Sequence, residues 1–87
     1  MPYKVFLESR AEKDFKKLPR EIRNRVFLAI LDLKRDPRPT GVKKLSAKEE
    51  YYRLRVGDWR VVYEINTRQK KISIFRIRHR REAYRNL

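Results

Sequence analysis

An α+β fold, with two N-terminal helices packed on one face of a small, mainly antiparallel sheet, follows from three features of the 87-residue sequence. A β-rich opening stretch precedes two segments with helical apolar period. Two segments of alternating side chains flank a Gly57-Asp58 pair, and Ile72, Ile74, Phe75 and Ile77 crowd together near the end. The predicted order is β-α-α-β-β-β in a single domain spanning 1–87, long enough for one modest core.

In Tyr3 to Glu8, Tyr3, Val5 and Leu7 alternate with Lys4, Phe6 and Glu8, the mark of a strand. Ser9-Arg10-Ala11-Glu12 has the form of a capping box, and Ala11, Phe15 and Leu18 then share one helix face up to Pro19. Proline suits the first turn of a following helix, and from Glu21 the stripe Ile22, Val26, Ala29, Ile30 and Leu33 predicts that helix to about Arg35. Arg20, Arg23, Asp32, Lys34 and Arg35 fall off the stripe and read as its solvated face. Asp36-Pro37-Arg38-Pro39-Thr40-Gly41 is turn-rich, and Val42 to Glu50 reads as loop.

Tyr52 to Val56 and Trp59 to Tyr63 then form a hairpin whose Gly-first, two-residue turn suits type II′. Successive strand residues leave opposite faces, so Tyr52, Leu54 and Val56 point to the core while Arg53 and Arg55 point away. The turn brings Arg60 close to them, and all three guanidinium groups are expected to emerge on the open sheet face. A last strand covers about Lys71 to Arg78, either apolar on both faces or bulged near Ile74, and Glu82 to Leu87 reads either as a final helical turn or as frayed coil.

Charge narrows the function. The 25 Lys+Arg against 11 Asp+Glu leave +14, an excess that leans towards the hairpin half and points to a polyanionic partner, nucleic acid first. Without cysteine there are neither disulfides nor thiolate sites, and His79 stands alone, so no metal or other cofactor is expected. No apolar run reaches membrane-spanning length and the N-terminus lacks a signal peptide's apolar segment, which makes the cytoplasm the expected compartment and a membrane no partner.

The hairpin Tyr52-Arg53-Leu54-Arg55-Val56-Gly57-Asp58-Trp59-Arg60-Val61-Val62-Tyr63, paired with the closing Arg78-His79-Arg80-Arg81-Glu82-Ala83-Tyr84, resembles the RelE/ParE superfamily of bacterial and archaeal toxins, on its RelE side. The resemblance covers nearly the whole chain. It implies a metal-independent endoribonuclease that cuts messenger RNA in the ribosomal A site and is held inactive by a cognate antitoxin. It also implies that Arg53, Arg55, Arg60 and Arg80 match the family's basic catalytic positions and Tyr84 the aromatic near the cut nucleotide. The family's commoner lysines are replaced here by Arg53 and Arg55, and a guanidinium cannot accept a proton at neutral pH. A base must therefore come from elsewhere or be dispensable; His79 has the intrinsic pKa for proton transfer, and Tyr84 is placed either to stack on a base or to share a proton.

Lys43, Lys44, Arg76, Arg78 and Arg81 are expected to add RNA contacts. Glu49, Glu50 and Glu64, close to arginines, read as salt-bridge partners. An acidic, partly disordered antitoxin should dock through an amphipathic helix or an added strand. Two alternatives are a ParE-like inhibitor of DNA gyrase, which does not need convergent arginines, and a non-catalytic basic module for ribosomal RNA.

Overall fold

The computed structural model describes residues 2–85, with side chains described as far as Glu82. Its elements are β1 (Lys4–Leu7), α1 (Ser9–Lys17), α2 (Arg20–Leu33), β2 (Lys43–Lys44), β3 (Tyr51–Val56), β4 (Trp59–Asn66), β5 (Lys71–His79) and α3 (Arg80–Arg85). The five strands lie in the order β1-β5-β4-β3-β2, antiparallel throughout except that β1 runs parallel to β5. The α+β expectation therefore holds, with one strand more than predicted. Lys43 and Lys44, read as loop, pair with Arg53 and Tyr52 as a two-residue edge strand. Two residues are too few to show a period in the sequence.

The start of α1 also differs from the capping-box reading. Glu8 takes the N-cap position without a side-chain cap, and Ser9 is already helical. The parallel ladder is the reason: Glu8 donates its amide to the Ile74 carbonyl at 2.9 Å, and its own carbonyl accepts from the Glu12 amide at 2.9 Å. Tertiary pairing thus sets the boundary one residue earlier than the local motif. At the other end, Pro19 forces Leu18 out of the helical region to ψ 144°, and Pro19 itself becomes the N-cap of α2, its carbonyl accepting from Arg23 at 2.8 Å.

The core lies between the helices and one sheet face. Ala11, Leu18, Val26, Ile30 and Leu33 meet Tyr52, Leu54, Val61, Tyr63, Ile65, Ile72, Ile74 and Ile77, all buried. The β4–β5 register slips between Val62, which faces Arg76, and Tyr63, which faces Ile74. Phe75 is the extra residue, so of the two readings of this crowded strand the bulge is realised. The connection after α2 is tied down by aromatics of the hairpin: Tyr63 donates its hydroxyl to the Pro37 carbonyl at 2.7 Å, and Arg38 donates to the Tyr52 hydroxyl at 2.9 Å. No helix among the described residues is long and apolar enough to cross a membrane.

Candidate nucleic-acid interface

Register decides which cations share a face. Residues directly opposite on antiparallel strands project to the same side, so the alignments Arg55↔Arg60 and Arg60↔Arg78 form a three-strand arginine row on the face away from the helices. The alignments Lys43↔Arg53, Arg53↔Val62 and Val62↔Arg76 form the next row. Arg80 continues the hairpin ladder, its amide donating to the Asp58 carbonyl at 2.7 Å. Gly57 makes the tight turn possible: its φ of +59° is left-handed, and a Cβ there would meet the Arg25 guanidinium at 3.3 Å.

These cations differ in how they are engaged. Arg55, Arg80 and Arg81 are exposed, and Arg53 is half-buried. Arg60 does not emerge as expected. It is 4% exposed, and its Nη1 donates to the Gly57 carbonyl at 2.9 Å and the Trp59 carbonyl at 3.0 Å. Two backbone carbonyls within reach, one of them exposed by the turn, pull the guanidinium back onto its own hairpin, which it braces.

Arg78 reaches forward to Glu82 in α3 at 2.9 Å, bringing a carboxylate to the arginine side of the sheet. Arg76 is drawn further away. Its Nε and Nη2 donate to Asp14 of α1 at 2.9 and 3.2 Å, and the same carboxylate accepts the Ile77 amide at 3.0 Å. β1 pairs β5 only as far as Ile74, so Asp14 closes the ladder edge that β1 leaves open. Burial works against the Asp14 charge, but the hydrogen bonds from Arg76 and the Ile77 amide, with the charges of Arg76 and Arg78, hold its carboxyl below the usual range. No sequence spacing links Asp14 to β5, and only the parallel packing of β1 and α1 brings them together.

Lys43 and Lys44 part company. Lys43 shares the arginine side with Arg53, whereas Lys44 aligns with the core residue Tyr52 and lies 3.9 Å from Glu50. Glu50 is indeed a salt-bridge partner. It accepts from the Tyr52 hydroxyl at 2.5 Å and from Arg38 at 3.1 Å, and these two bonds lower its pKa.

His79 aligns with Trp59, whose neighbours in parity are Val61 and Tyr63, so it sits on the helix side of the sheet. Its ring meets Trp59 edge-on at 5.4 Å, and its Nδ1 accepts the Arg81 amide at 3.4 Å. Tyr84 belongs to α3, but its side chain falls outside the described residues.

The comparisons agree with this architecture. The family described as the ParE toxin of the type II toxin-antitoxin system parDE matches residues 5–84. Toxin RelE3 of Methanocaldococcus jannaschii is 34% identical over 90 residues, covering 93% of this chain and 94% of that one. Toxin RelG of Mycobacterium tuberculosis is 33% identical over 86 residues, covering 98% and 99%. The crystal structure of the toxin-antitoxin complex RelBE2 from Mycobacterium tuberculosis superposes with a TM-score of 0.79 at 30% identity, covering 91% of this chain and 99% of that one.

Proposed function

From its membership of the RelE/ParE superfamily of type II toxin-antitoxin toxins, we propose that this chain is a ribosome-dependent endoribonuclease that cleaves messenger RNA in the A site and is neutralised by a cognate acidic antitoxin in the cytoplasm. The observation that carries the reading is the arginine row Arg55↔Arg60↔Arg78 on the open sheet face, with Arg80 at its end.

In this reaction the 2′-hydroxyl gives up its proton to solvent as its oxygen attacks the adjacent phosphorus, the P–O2′ bond forms as the P–O5′ bond breaks, and the 5′-oxygen leaves with a proton taken from solvent. Negative charge builds on the phosphorane oxygens. Arg55 and Arg80, exposed on a rigid hairpin and strand end, are the donors aimed at those oxygens, and preorganised donors of this kind are usually the largest catalytic term. Arg60 positions the turn from beneath through its two carbonyl bonds. The ribosome holds the 2′-hydroxyl in line with its leaving group, and that alignment substitutes for a dedicated base. Lys43, Arg53 and Arg81 add contacts to the backbone of the RNA.

Primer extension on translated messenger RNA tests the proposal: the free toxin yields stops within codons at the A site, and Arg55→Ala with Arg80→Ala abolishes them. A second reading, inhibition of DNA gyrase, is favoured by the ParE description of the matching family. A supercoiling assay separates the two, since a gyrase inhibitor blocks supercoiling and leaves messenger RNA intact.

A further inference from the structure

We infer that the end of the open sheet face farthest from the Gly57 turn is a subsite for one unpaired base, guanine by its hydrogen-bonding edge, of the messenger strand that lies on the arginine row. The inference rests on the RNA-cleaving reading above and adds a specificity contact to it. Parity and register place the site. Tyr51 shares the face of Arg53 and Arg55, and the row Tyr51↔Glu64↔Ser73↔Phe6 crosses four strands on that side. Phe75, the extra residue of the β5 bulge, meets Tyr51 edge-on with ring centroids 5.6 Å apart, so the two rings close over β4. Both are half-buried, and Phe6 on β1 is 48% exposed. The core lies against the helices on the other face and uses none of the three rings.

Charge selects the occupant. The hairpin end of this face is cationic, but two carboxylates stand at the aromatic end. Glu64 aligns with Tyr51, and the charge of Glu49, then burial and the charge of Glu64, push the Tyr51 hydroxyl's pKa up. Glu64, expected as a salt-bridge partner, enters none of the ion pairs among the described residues. Glu49, Tyr51 and Glu64 together line one depression. A phosphate or an acidic peptide seated here faces like charge, whereas a base does not. The two oxygens of the Glu64 carboxylate accept hydrogen bonds, and guanine offers its N1–H and N2 amino group side by side where uracil offers a single N–H. The rings supply the stack, as sheet-borne aromatics do for single-stranded RNA.

Spacing makes the two ends parts of one strand-binding face. Tyr51 lies two rows from Arg55 on β3, about 13 Å at the rise of a β-strand, and Lys43 and Arg53 stand in the row between. A backbone crossing that row can turn one base onto the rings while a phosphate further along meets Arg55. Lys71, its ammonium 5.0 Å from the Phe6 ring centroid, continues the cationic border beyond the rings. An aromatic pair on a sheet also braces its strands, but that role accounts neither for the carboxylate of Glu64 beside it nor for the exposure of Phe6.

Fluorescence anisotropy with the full-length chain tests this, using a labelled uridine oligonucleotide and the same strand carrying one guanine. The wild type is expected to bind the guanine strand about tenfold more tightly, the discrimination of one two-bond base contact. Glu64→Gln should bring the two strands to near parity without weakening the uridine strand, since it removes a negative charge. Phe75→Leu keeps apolar volume but loses the ring, and it should weaken the guanine strand about tenfold, as loss of one stack does, while Phe75→Tyr stays within about twofold of wild type. Equal affinity of the wild type for both strands, or an unchanged preference in Glu64→Gln, overturns the subsite. A Phe75→Leu variant that loses thermal midpoint but no RNA affinity overturns it too, and leaves the ring pair a brace of the sheet. Weaker binding of Phe75→Leu to ribosomes carrying no message, with oligonucleotide affinity unchanged, gives the base to ribosomal RNA and overturns the messenger assignment. Guanine-dependent binding by a chain that cuts no message upholds the subsite and sinks the ribonuclease reading, and cleavage without any guanine preference does the reverse.

Discussion

Arg55 and Arg76 stand on the same sheet in the same very basic chain, yet one is open to solvent and the other is clasped by Asp14. Arg55 points from a strand interior to the uncovered face, where the carboxylate that α3 brings, Glu82, is engaged by Arg78. Arg76 sits in the bulged stretch of β5, at the edge that β1 leaves unpaired, and α1 delivers an acid there. A positive charge becomes an RNA contact or a structural clasp according to the acceptors that the fold brings near it. In a chain with a net charge of +14, counting cations does not separate the two.

The largest expected effect breaks the open member of the pair. Arg55→Ala and Arg80→Ala should each lower single-turnover cleavage on programmed ribosomes by about two to three orders of magnitude, as removal of one preorganised donor does. Thermal midpoints should barely move, because neither side chain is buried. A fall in stability that accounts for the lost activity would mean that these arginines are structural.

Breaking the clasped member should do the reverse. Asp14→Asn removes a partly buried bidentate partner and leaves Arg76 uncompensated, at a cost of about 1–3 kcal/mol in chemical denaturation with the rate per folded molecule nearly unchanged. The pH dependence follows from the sign of the shift. Because the folded-state pKa of Asp14 is depressed, its contribution is present above the ordinary carboxylate range and is lost as pH falls through the folded value. The wild type should therefore lose stability in acid more steeply than Asp14→Asn.

Gly57→Ala probes the hinge between the two regions. It introduces a side chain at a φ of +59° against the Arg25 guanidinium, and it disturbs the turn whose carbonyls hold Arg60 and the Arg80 amide. Loss of about 1–2 kcal/mol in stability together with roughly tenfold slower cleavage is expected, since strain at such a position destabilises and misplacement by a fraction of an ångström slows chemistry.

The smallest effects are expected at His79 and in the charge-conserving change. His79→Ala should slow cleavage by no more than a few-fold, since its ring lies across the sheet from the arginine row. A loss as large as that at Arg55 would make histidine the general base. Arg55→Lys keeps the cation and the commoner residue of the family, and it should leave most activity in place.

Much of this molecule was legible from local pattern. Alternation in Tyr52 to Val56 assigned Leu54 to the core and Arg55 to the open face, the Gly57-Asp58 pair marked the hairpin turn, and the spacing of Val26, Ile30 and Leu33 gave the buried side of α2. Strand and helix periods are properties of consecutive residues, and no folded partner is needed to read them. What the tertiary structure decided are relations between segments far apart in the chain. Pairing of Glu8 with Ile74 moved the start of α1, and pairing with β3 turned Lys43 and Lys44 into a strand whose two lysines face opposite ways. The approach of α1 to β5 removed Arg76 from the open face, the turn carbonyls buried Arg60, and strand register placed His79 behind the sheet. Hydrogen bonds and ion pairs between distant residues depend on where the chain returns, so the sequence determined which faces were charged, and only the folded chain determined which of those charges remained available to a partner.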